Sequence, residues 1–413
     1  MNKVIKKWTE SSLILKILIG LILGIVLGLT FPEVKMIGIP GELFVSSLRA
    51  IAPILVFVLV SSAISRAKKG TGRRFKIVII LYLCGTFLAA LIAVFASYLF
   101  PVGIQLTTAS TAAVPQGFED IIKNMLTTIF SNPIAALAEG DYLGILFWAI
   151  VFGMALNMIA TEETKDILSD CADAITLIVR GFIQFAPIGI MGLVFSAVSE
   201  NGLNIFTQYG ELILILVGCM FFVAFIENPI IVGLLLKRNP LPLLFTCLRE
   251  SGITAFFSRS SAANIPINLE LCERLGLDKD FYSLSIPLGA TINMQGAAVT
   301  ITVMSLAVCH TLGIHASLPV TILLCLISTL AACGSSGVAG GSILLIPMAC
   351  SLFGIPSDIS MQAISVGFII GVIQDSCETA LDSSGDALFT ATAEYYIRSK
   401  DGKDMNFLGE LKK

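Results

Sequence analysis

The sequence predicts an all-α polytopic membrane protein: eight transmembrane helices plus two inverted re-entrant helical hairpins. Three observations carry that expectation. Apolar residues make up 56% of the 413 and charged residues only 13%, with a net charge of −3, about half the charged fraction of an ordinary soluble chain. Mean hydropathy is +0.90. Apolar runs of around 20 residues recur, each long enough to cross a ~30 Å hydrocarbon core as a helix. The alternating segments of a membrane β-barrel are absent.

Spans are expected near 13–31, 41–65, 75–100, 118–160, 164–198, 207–236, 283–312 and 358–397. The first follows Lys3, Lys6 and Lys7 and lacks the short core and small-residue exit of a cleaved signal peptide, so it reads as a retained span. Within it Gly20, Gly24 and Gly28 lie four apart, a spacing that suits close helix packing and carries no functional assignment. Asn132-Pro133 should interrupt the fourth span, because proline removes a backbone donor and disfavours helix before it.

Basic residues set the orientation. Arg66, Lys68, Lys69, Arg73, Arg74 and Lys76 follow span two, and Lys237 and Arg238 follow span six, whereas 101–117, 199–206 and 310–318 hold neither Lys nor Arg. The positive-inside rule then places both termini in the cytoplasm, with 401–413 as a cytoplasmic tail.

Two apolar segments do not read as spans. Residues 241–271 are split by Ser258-Arg259-Ser260-Ser261-Ala262-Ala263-Asn264-Ile265-Pro266, and 319–353 by the stretch from Cys333 to Ser342. Arms of about 12–15 residues are too short to cross the core, so each pair reads as a hairpin entering and leaving by one face. Backbone exposed at such a tip survives only in protein or beside a wet cavity. The order hairpin, polar-centred span, hairpin, polar-centred span is the pattern of a secondary transporter with a midplane site.

The last span is the most informative. Asp375, Glu378, Asp382 and Asp386 are spaced 3, 4 and 4, which places them within an arc of roughly 80° on a helix. Neither Lys nor Arg occurs between Lys279 and Arg398. Each carboxylate deep in a bilayer costs about 2.5–3.5 kcal/mol, so the four must face protein or water. With few basic residues nearby, cations from solution are the expected partners.

The ten cysteines are scattered without metal-ligand spacing, and the two histidines, His310 and His315, fall in an expected loop. Structural metal and histidine-based catalysis both find little support.

Ser258-Arg259-Ser260-Ser261, Pro287-Leu288-Gly289-Ala290-Thr291-Ile292-Asn293-Met294, the Gly337-Val338-Ala339-Gly340-Gly341 tip and the stretch from Asp375 to Asp386 together resemble the dicarboxylate/amino acid:cation symporter family. The resemblance covers essentially the whole chain and is strongest to the bacterial sodium-coupled serine/threonine branch. It implies a homotrimer of independently working subunits in the bacterial inner (plasma) membrane, with sodium co-transported rather than permanently bound. Serine, threonine and the lipid bilayer would be the partners, and nucleic acid would not. The implied scaffold is 1–74 and 101–206. The implied elevator-type transport domain is 75–100 with 207–400, including hairpins 241–275 and 318–355.

The same resemblance implies residue roles. Substrate would be bound by Arg259, Ser260, Ser261, Val338, Asp375, Glu378, Thr379 and Asp382, with Asp375 taking the α-ammonium. Sodium would be held at Gly289, Asn293, Asp382 and Asp386, and again at Thr291, Met294, Cys333, Gly334 and Ser335. Three departures from the family pattern matter. Glu378 stands where acidic-substrate members have an arginine, and Ala297 replaces their threonine contact, which favours a small neutral hydroxy amino acid. Glu378 could pair with Arg259 or hold a proton. Gln295, with Gly85 and Thr86 near Tyr82, replaces the anchor of a further sodium site, so fewer ions should be coupled. Asp382 replaces an asparagine, and repulsion of the substrate carboxylate is expected there unless sodium or a proton neutralises it.

Three rival readings remain open on sequence. One is a proton-coupled carrier of neutral amino acids or dicarboxylates with the same fold. A second is a passive channel. The third is an intramembrane serine protease, because Gly334-Ser335-Ser336-Gly337 formally matches a nucleophile pattern.

Overall fold

A computed structural model describes residues 13–66, 73–104, 106, 130–139, 142–202, 205–335, 340–403, 405 and 407–412. Every regular element among them is helical. The first half comprises α1 (Leu13–Thr30), α2 (Ile39–Ser65), α3 (Arg73–Leu99), α4 (Pro133–Glu139), α5 (Tyr142–Ile159), α6 (Glu162–Gln184) and α7 (Ala186–Asn201). Asn132 caps α4, its side-chain oxygen accepting from the Ile134 amide at 2.9 Å, so the break expected at Asn132-Pro133 is present. Residues 118–129 of the expected fourth span lie outside the described residues.

The segment 164–198, expected as one span, is two helices. Glu162–Gln184 and Ala186–Ser199 meet at a 55° bend, where Pro187 enters the first turn of α7 and cannot continue the preceding hydrogen-bond ladder. The glycine row of α1 has a packing explanation. A Cβ on Gly24 would stand 2.6 Å from the Met191 carbonyl, and one on Gly28 would stand 3.0 Å from that of Phe195. Only glycine lets α1 press this closely on α7.

The second half carries the breaks. Helix α8 (Ile205–Phe222) passes through a π turn, Val223–Glu227, into α9 (Asn228–Leu236). Helices α10 (Leu241–Cys247) and α11 (Ile253–Ser258) flank a second π turn, and α12 (Ser261–Arg274) returns from the tip. That tip is made by Arg259 at φ +53° and extended Ser260, whose hydroxyl accepts from the Ala263 amide at 3.2 Å and caps α12. Helix α13 (Lys279–Ile292) stops, Asn293 and Met294 leave helical geometry, and α14 (Gln295–Thr311) restarts. Helix α15 (Leu318–Ala332) leads to the second tip, α16 (Ile346–Ser351) leaves it, and α17 (Ser357–Lys400) runs 44 residues.

Among the described residues, four stretches are long and apolar enough to cross a membrane: Arg73–Leu99, Tyr209–Leu236, Lys279–Thr311 and Ser357–Lys400. The bent α6–α7 pair would make a fifth. Large apolar side chains such as Leu99, Met158, Leu214 and Leu234 are exposed, while Ser61, Thr86, Asn264, Thr302 and Ser328 are buried. Apolar outside and polar inside is the arrangement that a hydrocarbon solvent selects. At the end near Lys279, Arg74 bonds Asp278 at 2.8 Å and the Asp278 amide donates to Glu394, tying α3, α13 and α17 together. The Arg74 hydrogen bond holds the Asp278 carboxyl below the usual carboxylate range.

Candidate functional site

Both tips and the α13–α14 break converge on the middle of α17. Asp375, Glu378, Asp382 and Asp386 are all buried, the most exposed at 5%, so the shared helix face read from their spacing points into protein. Each acid meets a different environment.

Asp375 joins the two tips. Its Oδ2 accepts from Arg259 Nε at 2.6 Å, and its Oδ1 accepts from the Gly340 amide at 3.1 Å. Arg259 also donates to the Gly371 carbonyl at 3.2 Å. The guanidinium therefore pairs with Asp375 and not with Glu378, so this acid has a partner within the protein where cations from solution were the expected ones. The left-handed backbone at Arg259, unusual for a non-glycine residue, turns the chain at the tip where this side chain meets α17.

Glu378 is satisfied by neutral donors. Its Oε2 accepts from Thr300 Oγ1 at 2.6 Å, from Ser342 Oγ at 2.8 Å and from Gln374 Nε2. Gln374 also donates to Thr300 at 2.7 Å. Thr300 and Ser342 were not singled out from sequence. Thr300 sits in an apolar run and Ser342 among the small residues of the second break, and only packing shows that both aim at one oxygen.

Asp382 lies at the N-terminus of α14. Its Oδ1 accepts from the Gly296 amide at 2.6 Å, and the Ala297 amide is directed at it too. A helix N-terminus stabilises an anion, so the protein itself supplies part of the neutralisation expected from sodium or a proton. This depends on the helix restarting at Gln295, after Asn293 and Met294 leave helical geometry.

Asp386 is the least satisfied of the four. Oδ1 accepts from Asn293 Nδ2 at 3.0 Å, and the same nitrogen donates to the Asp382 carbonyl at 3.0 Å. Asp386 Oδ2 and Asn293 Oδ1 are buried with no hydrogen-bond partner among the described residues. Gly289 closes this corner, where a Cβ would stand 2.8 Å from both Asp386 Oδ1 and the Tyr82 hydroxyl. Two orphaned oxygens, one of the carboxylate itself and one of the neighbouring amide, fit a small hard cation, which binds through oxygen.

The remaining expected residues fall close by. Ser335 Oγ donates to Met294 Sδ at 3.5 Å, and Cys333 Sγ approaches the Ile292 carbonyl at 3.9 Å. The second tip thus reaches the α13–α14 break. Thr291 donates to the Leu288 carbonyl and Thr379 to the Asp375 carbonyl. Ser261 is buried at the start of α12. Val338 lies outside the described residues. Gln295 bonds Asn228, and a Cβ on Gly85 would stand 2.9 Å from its amide nitrogen. A cavity of about 450 Å³ runs between α2, α6 and α13 and reaches Thr291 and Cys333. Ser336, the nucleophile position of the Gly334-Ser335-Ser336-Gly337 pattern, lies outside the described residues, and His310 is exposed in the last turn of α14.

The model of the sodium:dicarboxylate symporter family matches residues 13–395. The chain is 56% identical to the serine/threonine transporter SstT of Bifidobacterium adolescentis, over 96% of this chain and 93% of that protein. Identity to the serine/threonine transporter SstT of Streptococcus thermophilus is 53%, over 95% and 98%. For the protein of that name from Streptococcus agalactiae it is 52%, over 97% and 100%.

Proposed function

The chain belongs to the sodium:dicarboxylate symporter family, and we propose that it takes up L-serine and L-threonine by sodium-coupled symport. It is a transporter and not an enzyme. The observation that carries the substrate reading is the buried Arg259–Asp375 pair, one cation and one anion 2.6 Å apart where both tips meet α17. An α-amino acid is itself a cation and an anion on adjacent carbons. It can exchange one internal ion pair for two, with its ammonium on Asp375 and its carboxylate on Arg259 and the first tip near Ser260 and Ser261.

Selectivity follows from the neighbours. Glu378 repels an acidic side chain, and its ring of Thr300, Ser342 and Gln374 suits a small hydroxyl. Asp386, Asn293 and the carbonyls near Gly289 and Asp382 would hold one sodium, and Thr291, Met294 and Cys333–Ser335 a second. Gln295, locked to Asn228, supplies no charge for a third. Sodium beside Asp386 neutralises the charge that otherwise opposes burial, which couples ion loading to closure of the tips. The cavity reaching Thr291 and Cys333 supports access from the side of Arg66.

We read the chain as eight spans and two re-entrant hairpins in a bacterial inner membrane, with cytoplasmic termini. Residues 75–100 and 207–400 would move as an elevator against 1–74 and 101–206, within a homotrimer. The test is uptake of labelled serine into proteoliposomes. An inward sodium gradient should drive accumulation that unlabelled threonine inhibits and aspartate does not, and potassium or choline should stop it. Accumulation driven equally by a proton gradient without sodium would replace this mechanism with a proton-coupled one.

A further inference from the structure

The acids of α17 are not the only buried carboxylates. Glu227 closes the π turn between α8 and α9 and is 7% exposed. Its partners are sparse: Oε1 faces Gln295 Nε2 at 3.5 Å, and Oε2 has no hydrogen-bond partner among the described residues. Gln295 is held by Asn228 in a reciprocal amide pair. Its Nε2 donates to Asn228 Oδ1 at 2.8 Å, and its Oε1 accepts from Asn228 Nδ2 at 3.2 Å. These three side chains join the π turn to the first residue of α14, next to the Asn293–Met294 break. Single π turns are frequent at functional positions.

An ionised carboxylate buried in a span with one long hydrogen bond is costly and calls for a named partner. The elements packed around Glu227 do not supply a cation. On α8 the titratable groups are Tyr209, Glu211 and Cys219, and on α3 they are Tyr82 and Cys84, with Arg73, Arg74 and Lys76 at one end and Tyr98 at the other. Helix α9 carries no titratable side chain, and α14 has Cys309 and His310 at its distant end. Across the break, Asp382 is held by Gly296, Asp386 by Asn293, and the Tyr82 hydroxyl by Thr390.

A metal cation suits this position poorly. The group facing Glu227 is an amide N–H, and the oxygens of that amide pair already accept hydrogen bonds from each other's nitrogens. A proton removes the charge without needing further ligands. We propose that Glu227 is a proton-binding site, loaded when the α9–α14 junction is packed as here, and that loss of its proton shuts transport down at alkaline pH. Ionised, Glu227 would draw Gln295 Nε2 away from Asn228. That would disturb the start of α14, whose Gly296 amide holds Asp382.

The proposal rests on the transport reading only for its uptake readout. Wild type and Glu227→Gln are compared in proteoliposomes from mildly acidic to strongly alkaline pH. Wild-type sodium-driven serine uptake should fall about tenfold per pH unit beyond a one-proton midpoint. The variant should match wild type at acidic pH and lose that alkaline limb. Infrared difference spectra between the two pH extremes should show loss of a protonated carboxylic-acid carbonyl band in wild type, with no such band in the variant. Should glutamine fail to fold, Glu227→Leu supplies the same neutral comparison. An alkaline limb shared by both proteins, or a band unchanged by the substitution, would overturn the proposal. If neither protein shows sodium-driven uptake, the transport reading fails while the infrared comparison still decides this one.

Discussion

Asp375→Asn is expected to weaken serine binding roughly 30- to 4,000-fold, the range that corresponds to about 2–5 kcal/mol for truncating one partner of a buried charge pair. The substitution keeps the shape and the acceptor for the Gly340 amide, but it places an amide N–H opposite Arg259 Nε, which Asp375 now holds at 2.6 Å. The substrate ammonium would then meet a neutral group, and Arg259 would keep only the Gly371 carbonyl. Uptake should be lost. A double variant, Asp375→Asn with Arg259→Met, separates folding from recognition: it removes the orphaned guanidinium and should recover thermal stability, yet it should still fail to bind serine. Wild-type serine affinity in the single variant, measured by calorimetry in saturating sodium, would exclude the ammonium role.

Asp386→Asn should act through the ion. In wild type, sodium at 100 times its dissociation constant should stabilise the protein by about 2.7 kcal/mol through preferential binding to the folded state. Asp386 is fully buried and its Oδ2 has no partner among the described residues, so without sodium its charge opposes folding. The asparagine variant should therefore be more stable than wild type in sodium-free buffer and should gain less on adding sodium, keeping only the response of the second site. Thermal unfolding in choline against sodium reads both effects. An undiminished sodium response in the variant would remove Asp386 from the ion site.

Much of this was legible in the residues. Intramembrane acids at helical spacing had to face inward, and they do. Polar breaks within two apolar segments announced the tips, and the first forms at Ser258–Ser260. The failures have physical causes too. Arg259 and Asp375 are 116 residues apart, and only the packing of the first tip on α17 selects Asp375 over Glu378. Repulsion at Asp382 was expected because it stands where the family pattern has an asparagine, and the Gly296 amide that faces it becomes visible only once α14 restarts beside α17. Glu227 escaped notice as one acid inside an apolar run, although the argument applied to α17 would have found it. The bend after Gln184 has its signal in Ala186-Pro187, but the apolar residues on both sides of it read as one span.

The central claim is that the Arg259–Asp375 pair opens to receive a zwitterion while a cation sits beside Asp386. A structure determined with serine and sodium bound tests it most directly. Serine density should lie between the two side chains, ammonium toward Asp375 and carboxylate toward Arg259, with a separate ion within coordination distance of Asp386 Oδ2. A closed Arg259–Asp375 pair with serine bound elsewhere would contradict it.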